Sequence, residues 1–400
     1  MMAAAVAGSM GCSVLLIEKN EKLGKKMYIT GKGRCNITNA CPTDEFFSNI
    51  MRNSKFCLSS IYSFPPESLL QKLHENGLKT KIERGLRVFP ESDKSSDVIK
   101  CLGRILKDAN VKIALNTTVK KIEKQDSGFS VQTLGEQKAV YEAGSVIIAT
   151  GGASYPQTGS TGDGYRFAES FGHRVLSQNP VLAPLIEDGQ ICASLQGLTL
   201  KNVGFALSQN GREIFSDLGE MLFTHEGLSG PLVLSASSAI NFEKPLKLAA
   251  SIDLKPALSN EKLDARVLRD FEENKNKQIR NAVAGLLPLR LIDPVLKAAG
   301  IDGDKPVNSV TRQERERLII VLKDFGISIK GVAPLAEAIV TRGGVDVREI
   351  DPSSMQSKKI PGLFFAGEIM DVDALTGGFN MQIAFSTGYL AGISVCKHSS

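Results

Sequence analysis

The sequence lacks the features of a membrane or secreted protein. None of its apolar runs reaches the ~18 residues that a helix needs to cross a bilayer. Residues 1–17 carry no charge, but they lack the basic start and the cleavage site of a signal peptide. They continue directly into Glu18 and Lys19. We therefore predict a cytoplasmic protein without a membrane partner.

Cysteine pairs and metal motifs are also missing. The seven cysteines include no C-x-x-C motif, which argues against a zinc ribbon and against a redox-active pair. An odd number of scattered cysteines is typical of a reducing compartment. Only Cys35 lies within a glycine-rich motif, where packing is its favoured role. No metal site is predicted.

Positive charge is neither concentrated nor mixed with aromatic side chains. The formal net charge is +5, and basic runs such as Lys120–Lys121 and Lys358–Lys359 are short. Proteins that bind nucleic acids usually cluster their basic residues on one face. The pattern therefore predicts a small-molecule substrate and no nucleic-acid partner, and it leaves the oligomeric state open.

Residues 361–392 have the pattern of a ligand site. The apolar run Leu363–Ala366 predicts a buried strand, and Gly377–Gly378 precede a helix with a face of small residues. Glycine lets a ligand approach the backbone closely. A helix start offers unpaired N–H groups and the positive end of its dipole to an electron-rich group. We therefore predict that this segment holds a cofactor.

The first residues predict part of a dinucleotide-binding fold. Residues 2–10 are typical of a helix interior, and Ser13–Ile17 predicts a buried parallel strand that ends at Glu18. An acid at this place binds ribose hydroxyls in such folds, about 20 residues after a glycine fingerprint. Counting back places that fingerprint before Met1, so we expect its strand and phosphate loop to lie outside this reading frame. An ordinary carboxylate at a strand end is the alternative.

The middle of the chain predicts an antiparallel meander and then an inserted block. Strand-like segments occur at 111–114, 118–124, 128–133 and 139–141. Residues 145–150 predict a buried strand that ends in two glycines. The expected organisation is a nucleotide-binding domain in two parts (1–188 and 332–400) around a β domain (189–257) and a helical subdomain (258–331).

Four segments carry a resemblance to a known family. They are GKGRCNITN (31–39), TGGASYPQTGSTGDGY (150–165), LFTHEGLSGP (222–231) with VTRGGV (340–345), and AGEIMDVDALTGGFNMQIAFSTGYLAG (366–392). The chain resembles the bacterial NAD(P)/FAD-dependent oxidoreductases that include the BaiN-like bile-acid reductases. The resemblance implies an α/β fold, in which a Rossmann-like FAD-binding domain is interrupted by a β-barrel-like and a helical subdomain. The missing N-terminal strand and G-x-G-x-x-G motif depart from the family pattern and leave FAD retention open.

The resemblance also implies positions for the parts of FAD. Glu18 and Lys19 lie at the adenosine ribose, Val119 at the adenine, and Thr150 and Gly151 along the AMP half. The remaining positions follow the cofactor toward the flavin ring. Those at the pyrophosphate and flavin side are Gly31, Lys32, Gly33, Arg34 and Asn36; those at the ribityl-pyrophosphate part are Gly367, Glu368 and Asp373; those at the pyrimidine edge of the ring are Gly377, Gly378 and Asn380.

The implied chemistry is hydride transfer from NAD(P)H through flavin N5 to an activated C=C bond of a small organic substrate. Such a reaction needs a proton donor, and Tyr155 and His225 are the candidates. Tyr155 follows a cofactor strand but could equally be a packing residue, whereas Glu226 could set the tautomer of His225.

Three alternatives stay open. The first is an amine- or ketone-forming oxidase that passes electrons to O₂. The second is a flavin-binding or RNA-linked accessory protein without turnover, for which strongly salt-dependent RNA binding would be the evidence. The third is a non-functional fragment. The substrate and the choice between NADH and NADPH are not predicted.

Overall fold

The computed structural model describes residues 1–135 and 138–399. The chain divides into two compact units. The first consists of Met1–Val181 and Leu335–Ser400, and the second of Leu182–Pro334.

The helices of both units share ordinary α-helical geometry, and several are short. In chain order they are α1 (Met2–Ser9), α2 (Lys25–Ile29), α3 (Thr43–Phe46), α4 (Leu58–Ser63), α5 (Pro66–Glu75), α6 (Ser95–Asp108), α7 (Asp163–Ser170), α8 (Ile191–Ser194), α9 (Pro231–Ser237), α10 (Asn260–Glu273), α11 (Ile279–Ala282), α12 (Leu289–Ala298), α13 (Arg312–Lys323) and α14 (Phe379–Ser399). No helix among the described residues is both long and apolar enough to cross a membrane.

The strands form several small sheets and one barrel. In chain order they are β1 (Leu15–Ile17), β2 (Thr38–Asn39), β3 (Ile50–Arg52), β4 (Thr80–Glu83), β5 (Arg87–Pro90), β6 (Lys112–Ala114), β7 (Thr117–Gln125), β8 (Gly128–Gly135), β9 (Val140–Ala143), β10 (Val146–Ile148), β11 (Val175–Val181), β12 (Leu185–Glu187), β13 (Thr199–Gln209), β14 (Arg212–Phe223), β15 (Gly227–Ser229), β16 (Leu248–Asp253), β17 (Phe325–Val332), β18 (Val340–Val345), β19 (Leu363–Phe365) and β20 (Asp373–Ala374).

Two parallel strand pairs form the part of the first unit for which the sequence predicts nucleotide binding. β1 pairs with β6, and β10 pairs with β19, with Ile148 opposite Phe365. β19 is fully buried as predicted, whereas β1 is only half-buried and shorter than the predicted 13–17. β19 also bonds to the segment before it, where Ser357 N donates to the carbonyl oxygen of Leu363 and Phe365 N to that of Met355, whereas β6 is the one strand that pairs with β1 among the described residues.

The antiparallel meander has three strands rather than the four expected. β7, β8 and β9 pair in that order. The segment 111–114, predicted to join them, instead forms β6 and pairs in parallel with β1. Alternating polarity marks a strand but does not select its partner, because register and neighbours depend on packing against distant segments.

Helices α1 and α14 pack through the small residues that the sequence pattern emphasised. A Cβ added at Gly392 would lie 2.6 Å from the carbonyl oxygen of Ala3, and one at Gly388 would lie 3.4 Å from Ala3 N. Glycine at these positions lets the two helix backbones approach closely. Cys12 and Cys396, near the ends of these helices, form a disulfide with their Cα atoms 6.2 Å apart. The cysteine pattern did not predict this pair.

The second unit contains the predicted β-barrel. Six strands close in the order β12-β15-β14-β13-β16-β17. Phe205, Phe223 and Phe325 are fully buried and share one core with residues of α12 and α13, such as Leu291 and Leu318. The barrel therefore includes strands on both sides of the range 189–257. Helices α10 to α13 lie within the range 258–331.

Candidate cofactor site

Glu368, in the loop after β19, is the meeting point of four chain segments. Its Oε2 accepts a hydrogen bond from Lys26 Nζ at 2.7 Å, and its Oε1 accepts one from Thr341 N at 2.9 Å. Ser154 Oγ lies 3.3 Å from Oε1 of Glu368 and 2.8 Å from Lys26 Nζ. The Lys26 and Glu368 side chains are 24% and 19% exposed, so the cluster is shielded but open to a ligand.

The loop after β10 rests on Thr341 of β18. The fully buried Thr341 hydroxyl accepts hydrogen bonds from the N–H groups of Ala153 and Ser154, both at 3.0 Å. Gly152 has no room for a side chain, because a Cβ would lie 2.5 Å from Thr341 Oγ1. The loop after β10 is thus held by hydrogen bonds from its backbone N–H groups to the side chain of Thr341, a residue almost 190 positions later in the chain.

Two aspartates of the same C-terminal segment are paired with cations. Asp373 accepts two hydrogen bonds from Arg342, at 2.7 and 3.0 Å, and its side chain is 1% exposed. Asp371 accepts from Arg52 Nε at 2.7 Å and from Gly343 N at 3.1 Å. A bidentate arginine fixes a carboxylate in one orientation. Asp373 therefore supports the loop through Arg342, and its predicted contact with the ribityl chain stays a prediction.

The start of α14 requires its two glycines. Gly377 and Gly378 have φ values of 123° and 101°, which disfavour other residues. A Cβ at Gly378 would also overlap the backbone of Thr38. Asn39 Nδ2 donates to the carbonyl oxygen of Gly377 at 3.1 Å. β2 thus sets the position from which the helix start presents its N–H groups.

Asn380 stabilises the connection that leads into α14. Its Oδ1 accepts from Ala374 N at 3.0 Å, and its Nδ2 donates to the carbonyl oxygen of Ala374 at 2.8 Å. These two bonds close the loop between β20 and the helix. Asn380 therefore holds the backbone of that loop, and its predicted contact with the pyrimidine edge of the flavin stays a prediction.

The turn before β2 has an unusual backbone. Gly31, Lys32, Gly33 and Cys35 have φ values of 57°, 58°, 85° and 62°. Left-handed conformations in non-glycine residues are costly and concentrate at ligand sites. Asn36 follows directly, and its buried Oδ1 has no hydrogen-bond partner among the described residues. The turn presents backbone groups and one unsatisfied acceptor.

Arg34, predicted beside the pyrophosphate, is bound to the β4–β5 hairpin. It forms ion pairs with Glu83 and, at 2.8 Å, with Asp93. Its guanidinium also lies 4.0 Å from the ring centre of Phe89. The hydrogen bonds to Glu83 and Asp93 raise the pKa of Arg34, the former contributing most. Its contact with a cofactor stays a prediction.

Glu18 and Lys19 lie at the end of β1, as the sequence predicts for a ribose site. Glu18 Oε1 accepts two hydrogen bonds from Asn20, at 2.9 Å from the backbone and 2.8 Å from the side chain. Lys19 Nζ lies 2.5 Å from both Thr161 Oγ1 and Asp163 Oδ2. These bonds connect the end of β1 to the loop after β10.

Val119 and Thr150 occupy the remaining predicted positions. Val119 is half-buried in β7, opposite Thr133 of β8. Thr150 is exposed directly after β10, and a side chain at Gly164 would overlap its hydroxyl. The structure places both in the first unit, together with the other predicted cofactor positions.

Tyr155 has the features of a constrained functional residue. It adopts a left-handed conformation with φ of 52°, and its side chain is half-buried. Burial, and secondarily the nearby Glu337 carboxylate, raise the pKa of its phenol. Tyr155 therefore stays protonated at neutral pH and can act as a proton donor.

His225 belongs to the second unit, in the turn between β14 and β15. Both His225 and Glu226 are exposed. In the part of the chain that the structure describes, His225 makes no hydrogen bond with Glu226, so the predicted control of its tautomer is not present in this conformation. The turn itself is closed by Thr224, whose N–H donates to the carbonyl oxygen of Gly227 at 2.8 Å.

Sequence reasoning missed the partners of Glu368. Thr341 lies in the recognised segment 340–345 and Lys26 lies before the recognised segment 31–39, but neither residue was assigned a role. A lysine two residues after Gly24 and a threonine before Arg342-Gly343-Gly344 carry no local signal of a shared site. Only the glycine-rich surroundings could have pointed to them.

The residues present fit FAD. Gly151 and Gly367 have φ values of 76° and 78°, and no described protein atom lies within 3.4 Å of a Cβ added at either position. Backbone at these turns is therefore open to close approach by a ligand. The unsatisfied Asn36 Oδ1, the Lys26–Glu368 pair and the start of α14 add polar groups suited to a long, polar dinucleotide.

A comparison with protein-family models shows which family this chain belongs to. The family model described as "HI0933-like protein Rossmann domain" matches residues 1–394. The chain belongs to this HI0933-like family. The predicted resemblance and the predicted Rossmann-like, FAD-binding fold class with its barrel are thereby confirmed.

Two curated relatives of this HI0933-like protein span nearly its whole length. The ribosomal RNA dihydrouridine synthase of Escherichia coli (strain K12) is 31% identical over 97% of this chain and 93% of its own. The 3-dehydro-bile acid delta(4,6)-reductase of Clostridium scindens is 29% identical over 95% of this chain and 91% of its own. The second name describes a reductase, in agreement with the predicted class of oxidoreductases.

Solved structures show the same fold at low sequence identity. A quinol-fumarate reductase matches with a TM-score of 0.52 at 16% identity, covering 99% of this chain and 69% of that chain. The 3-ketosteroid-delta4-(5alpha)-dehydrogenase of Rhodococcus jostii RHA1 matches with a TM-score of 0.50 at 15% identity, covering 99% and 94%.

Proposed function

We propose that this HI0933-like protein is an FAD-dependent reductase that saturates a C=C bond conjugated to a carbonyl group. The observation that carries the proposal is the cluster around Glu368, where Lys26, Ser154 and Thr341 hold the loop between the β19 strand and the α14 helix. A shielded polar cluster beside a glycine-lined helix start is the arrangement expected of a dinucleotide site.

Each segment of the site has a defined task in this proposal. Glu368 and Lys26 orient the polar chain of FAD, whereas Gly377, Gly378 and the first turn of α14 present N–H groups to its electron-rich ring edge. FAD, when bound, supplies a carrier for a pair of electrons and a proton. Glycine at 151 and 367 allows the backbone to approach it.

Tyr155 is the preferred proton donor to the carbon that develops negative charge. A tyrosine phenol is protonated at neutral pH, and the constrained backbone of Tyr155 holds it in the loop beside Ser154. A positioned acid of this kind contributes typically 10²–10⁴-fold to a rate. His225, on the exposed barrel turn, is the second candidate.

Two substrate classes follow from the relatives. The bile-acid reductase supports a small-molecule enone, as the sequence predicts. The ribosomal RNA dihydrouridine synthase supports uridine in RNA, since dihydrouridine is uridine reduced at the double bond conjugated to a carbonyl. Both reactions require the same hydride and proton delivery. NADH or NADPH is the proposed electron donor.

The test begins with the visible spectrum of the purified chain after incubation with FAD. Bound flavin is then reduced under anaerobic conditions with NADH or with NADPH. Reoxidation is measured after adding either a 3-keto-4-ene steroid or a uridine-containing ribosomal RNA. Reoxidation by neither compound, together with rapid O₂ consumption on an amine, would replace this proposal with the oxidase alternative.

Variants assign the proton donor. We expect Tyr155→Phe to slow reoxidation by the conjugated substrate at least tenfold while leaving flavin reduction by the nicotinamide unchanged. His225→Asn is the parallel variant. Unchanged reoxidation rates in both would remove the acid role from these two residues.

A further inference from the structure

A basic hairpin lies beside the loop that starts α14. This hairpin consists of β4, β5 and the turn 84–86, and its sequence is TKIERGLRVFP. It carries Lys81, Arg84 and Arg87. No role was predicted for it from the sequence.

Two acidic residues near the hairpin are paired with cations, whereas Glu91, directly after β5, is exposed. Glu83 is paired with Arg34, and Asp93 is paired with both Arg34 and Lys81. Arg84 forms no hydrogen bond or ion pair through its guanidinium within the described ranges. Arg87 donates only to the carbonyl oxygen of Arg84, at 3.0 Å. Within the residues that the structure describes, the hairpin therefore presents two positive charges, Arg84 and Arg87, without a carboxylate partner.

Apolar side chains are exposed on the same hairpin. Ile82 is 60% exposed and Leu86 is 44% exposed. Isolated exposed apolar residues are common on protein surfaces. Their position next to unpaired arginines makes a mixed surface, on which a strand of nucleic acid can place both phosphates and bases.

A buried asparagine connects the hairpin to the cofactor loop. Asn39 Nδ2 donates to the carbonyl oxygens of Gly85 at 3.0 Å and Gly377 at 3.1 Å. Asn39 is 4% exposed, and its Oδ1 accepts from Cys41 N at 3.0 Å. One amide group therefore joins the tip of the hairpin to the glycine pair before α14. A substrate bound over that loop meets the arginines of the turn.

We propose that the basic hairpin binds the phosphates of an RNA strand next to the nucleotide that is reduced. The inference rests on the proposed function, and specifically on its RNA form. Arg84 and Arg87 hold the backbone of the strand, while Leu86 contacts a base beside the target. Phosphate contacts position a substrate without reading its sequence, so the hairpin provides affinity and placement.

The test compares two double variants with the same change of charge. Arg84→Gln/Arg87→Gln removes the unpaired charges of the hairpin. Lys107→Gln/Lys112→Gln removes two exposed lysines of α6 and β6 that have no ion-pair partner within the described residues. The probe is a fluorescent, uridine-rich single strand of about 12 nucleotides, a length in the range of known single-strand sites. Its affinity is measured at several salt concentrations.

We expect the hairpin variant to bind this RNA at least about tenfold more weakly than the wild type. The slope of log affinity against log salt should become shallower by about 1.4, because each of the two lost phosphate contacts contributes ~0.7 to the slope. We expect the lysine variant to keep the wild-type RNA affinity to within a factor of about two. Its two lysines lie outside the hairpin, so their loss changes only the electrostatic field that salt screens over such distances. FAD affinity and the reduction of a free enone stay at wild-type values in both variants.

The failures are distinguishable. If the wild type binds the RNA and the hairpin variant binds it equally well, the surface is wrong and the proposed function is untouched. If the wild type reduces the enone but binds no RNA, the hairpin proposal is overturned and the small-molecule form of the function stands. If the chain binds no FAD and reduces neither substrate, the proposed function fails and the hairpin proposal fails with it.

Discussion

The Lys26–Glu368 pair gives the sharpest test of the candidate site. Lys26→Met keeps the length of the side chain but removes the ammonium group that contacts Glu368 at 2.7 Å and Ser154 at 2.8 Å. The Glu368 carboxylate keeps only the bonds to its other oxygen. It becomes a largely shielded charge without a counter-ion.

The expected cost follows from the exposure of the two side chains. Fully exposed ion pairs contribute about 0.2–1 kcal/mol, whereas breaking a fully buried pair costs about 3–5 kcal/mol. With exposures of 24% and 19%, Lys26 and Glu368 lie between these limits. We expect Lys26→Met to lower the free energy of unfolding by about 1–2 kcal/mol. Misorientation of Glu368 should weaken FAD binding about tenfold, or ~1.4 kcal/mol.

The neighbouring residue supplies the control. Lys25 pairs with Glu21 at 3.2 Å on the surface of the same short helix, so Lys25→Met removes a lysine from almost the same place. It should change the free energy of unfolding by less than about 0.5 kcal/mol. Urea unfolding of the FAD-free protein and titration with FAD measure both quantities. Equal effects of the two substitutions on FAD affinity would refute the role given to the Glu368 cluster.

Three further predictions concern the support of the site. Gly378→Ala should lower the free energy of unfolding by more than about 2 kcal/mol in urea unfolding, because it adds steric overlap with β2 to the strain of a left-handed φ. Asp373→Asn should cost about 2–4 kcal/mol in the same assay, because Arg342 would then be a shielded charge without its bidentate partner. His173, whose side chain is fully buried against Glu349, has its pKa lowered by burial, which the carboxylate only partly opposes. The unfolded chain then takes up the proton first, so stability should fall as the pH drops below about 6.5, and this slope should shrink in His173→Gln.

Control variants test whether the losses of stability have the causes given for them. Gly11 has a φ of 89° but no atom near its Cβ position, so Gly11→Ala reports the backbone strain alone. Arg312 pairs with Glu316 with both side chains exposed, at 82% and 50%, so Arg312→Gln should cost less than about 0.5 kcal/mol. Gly378→Ala matching Gly11→Ala would contradict the claimed overlap with β2. A pH slope identical in the wild type and His173→Gln would assign the acid sensitivity to other groups.

Local patterns predicted much of the fold. The alternating segments at 118–124 and 128–133 and the buried run at 363–366 form the expected strands, because their polarity acts over a few positions. The strand 111–114 shows the limit of such reasoning. Its pattern identified a strand, but its partner β1 is about 100 residues away in the chain.

The candidate site likewise has features that the sequence predicted and contacts that it did not. Glycine-rich turns and the helix start at 379 were visible in the sequence, because left-handed backbone and N–H groups at helix ends depend on local residue types. The partners that hold them were not visible. Thr341, Arg342 and Lys26 reach their carboxylates across 27 to 342 residues of chain, and no local pattern encodes such a contact.

The sequence by itself determined the family, the cofactor-binding class of the fold and the positions of its glycine turns, because each of these depends on residue types at short spacing. The tertiary structure alone decided which charges are neutralised. Scattered cations argued against a nucleic-acid partner, yet folding pairs Arg34 and Lys81 with the nearby carboxylates, whereas Arg84 and Arg87 have no carboxylate partner among the described residues. Asn39 links the tip of their hairpin, at Gly85, to Gly377. Charge pairing depends on distances in space, which a linear count cannot contain.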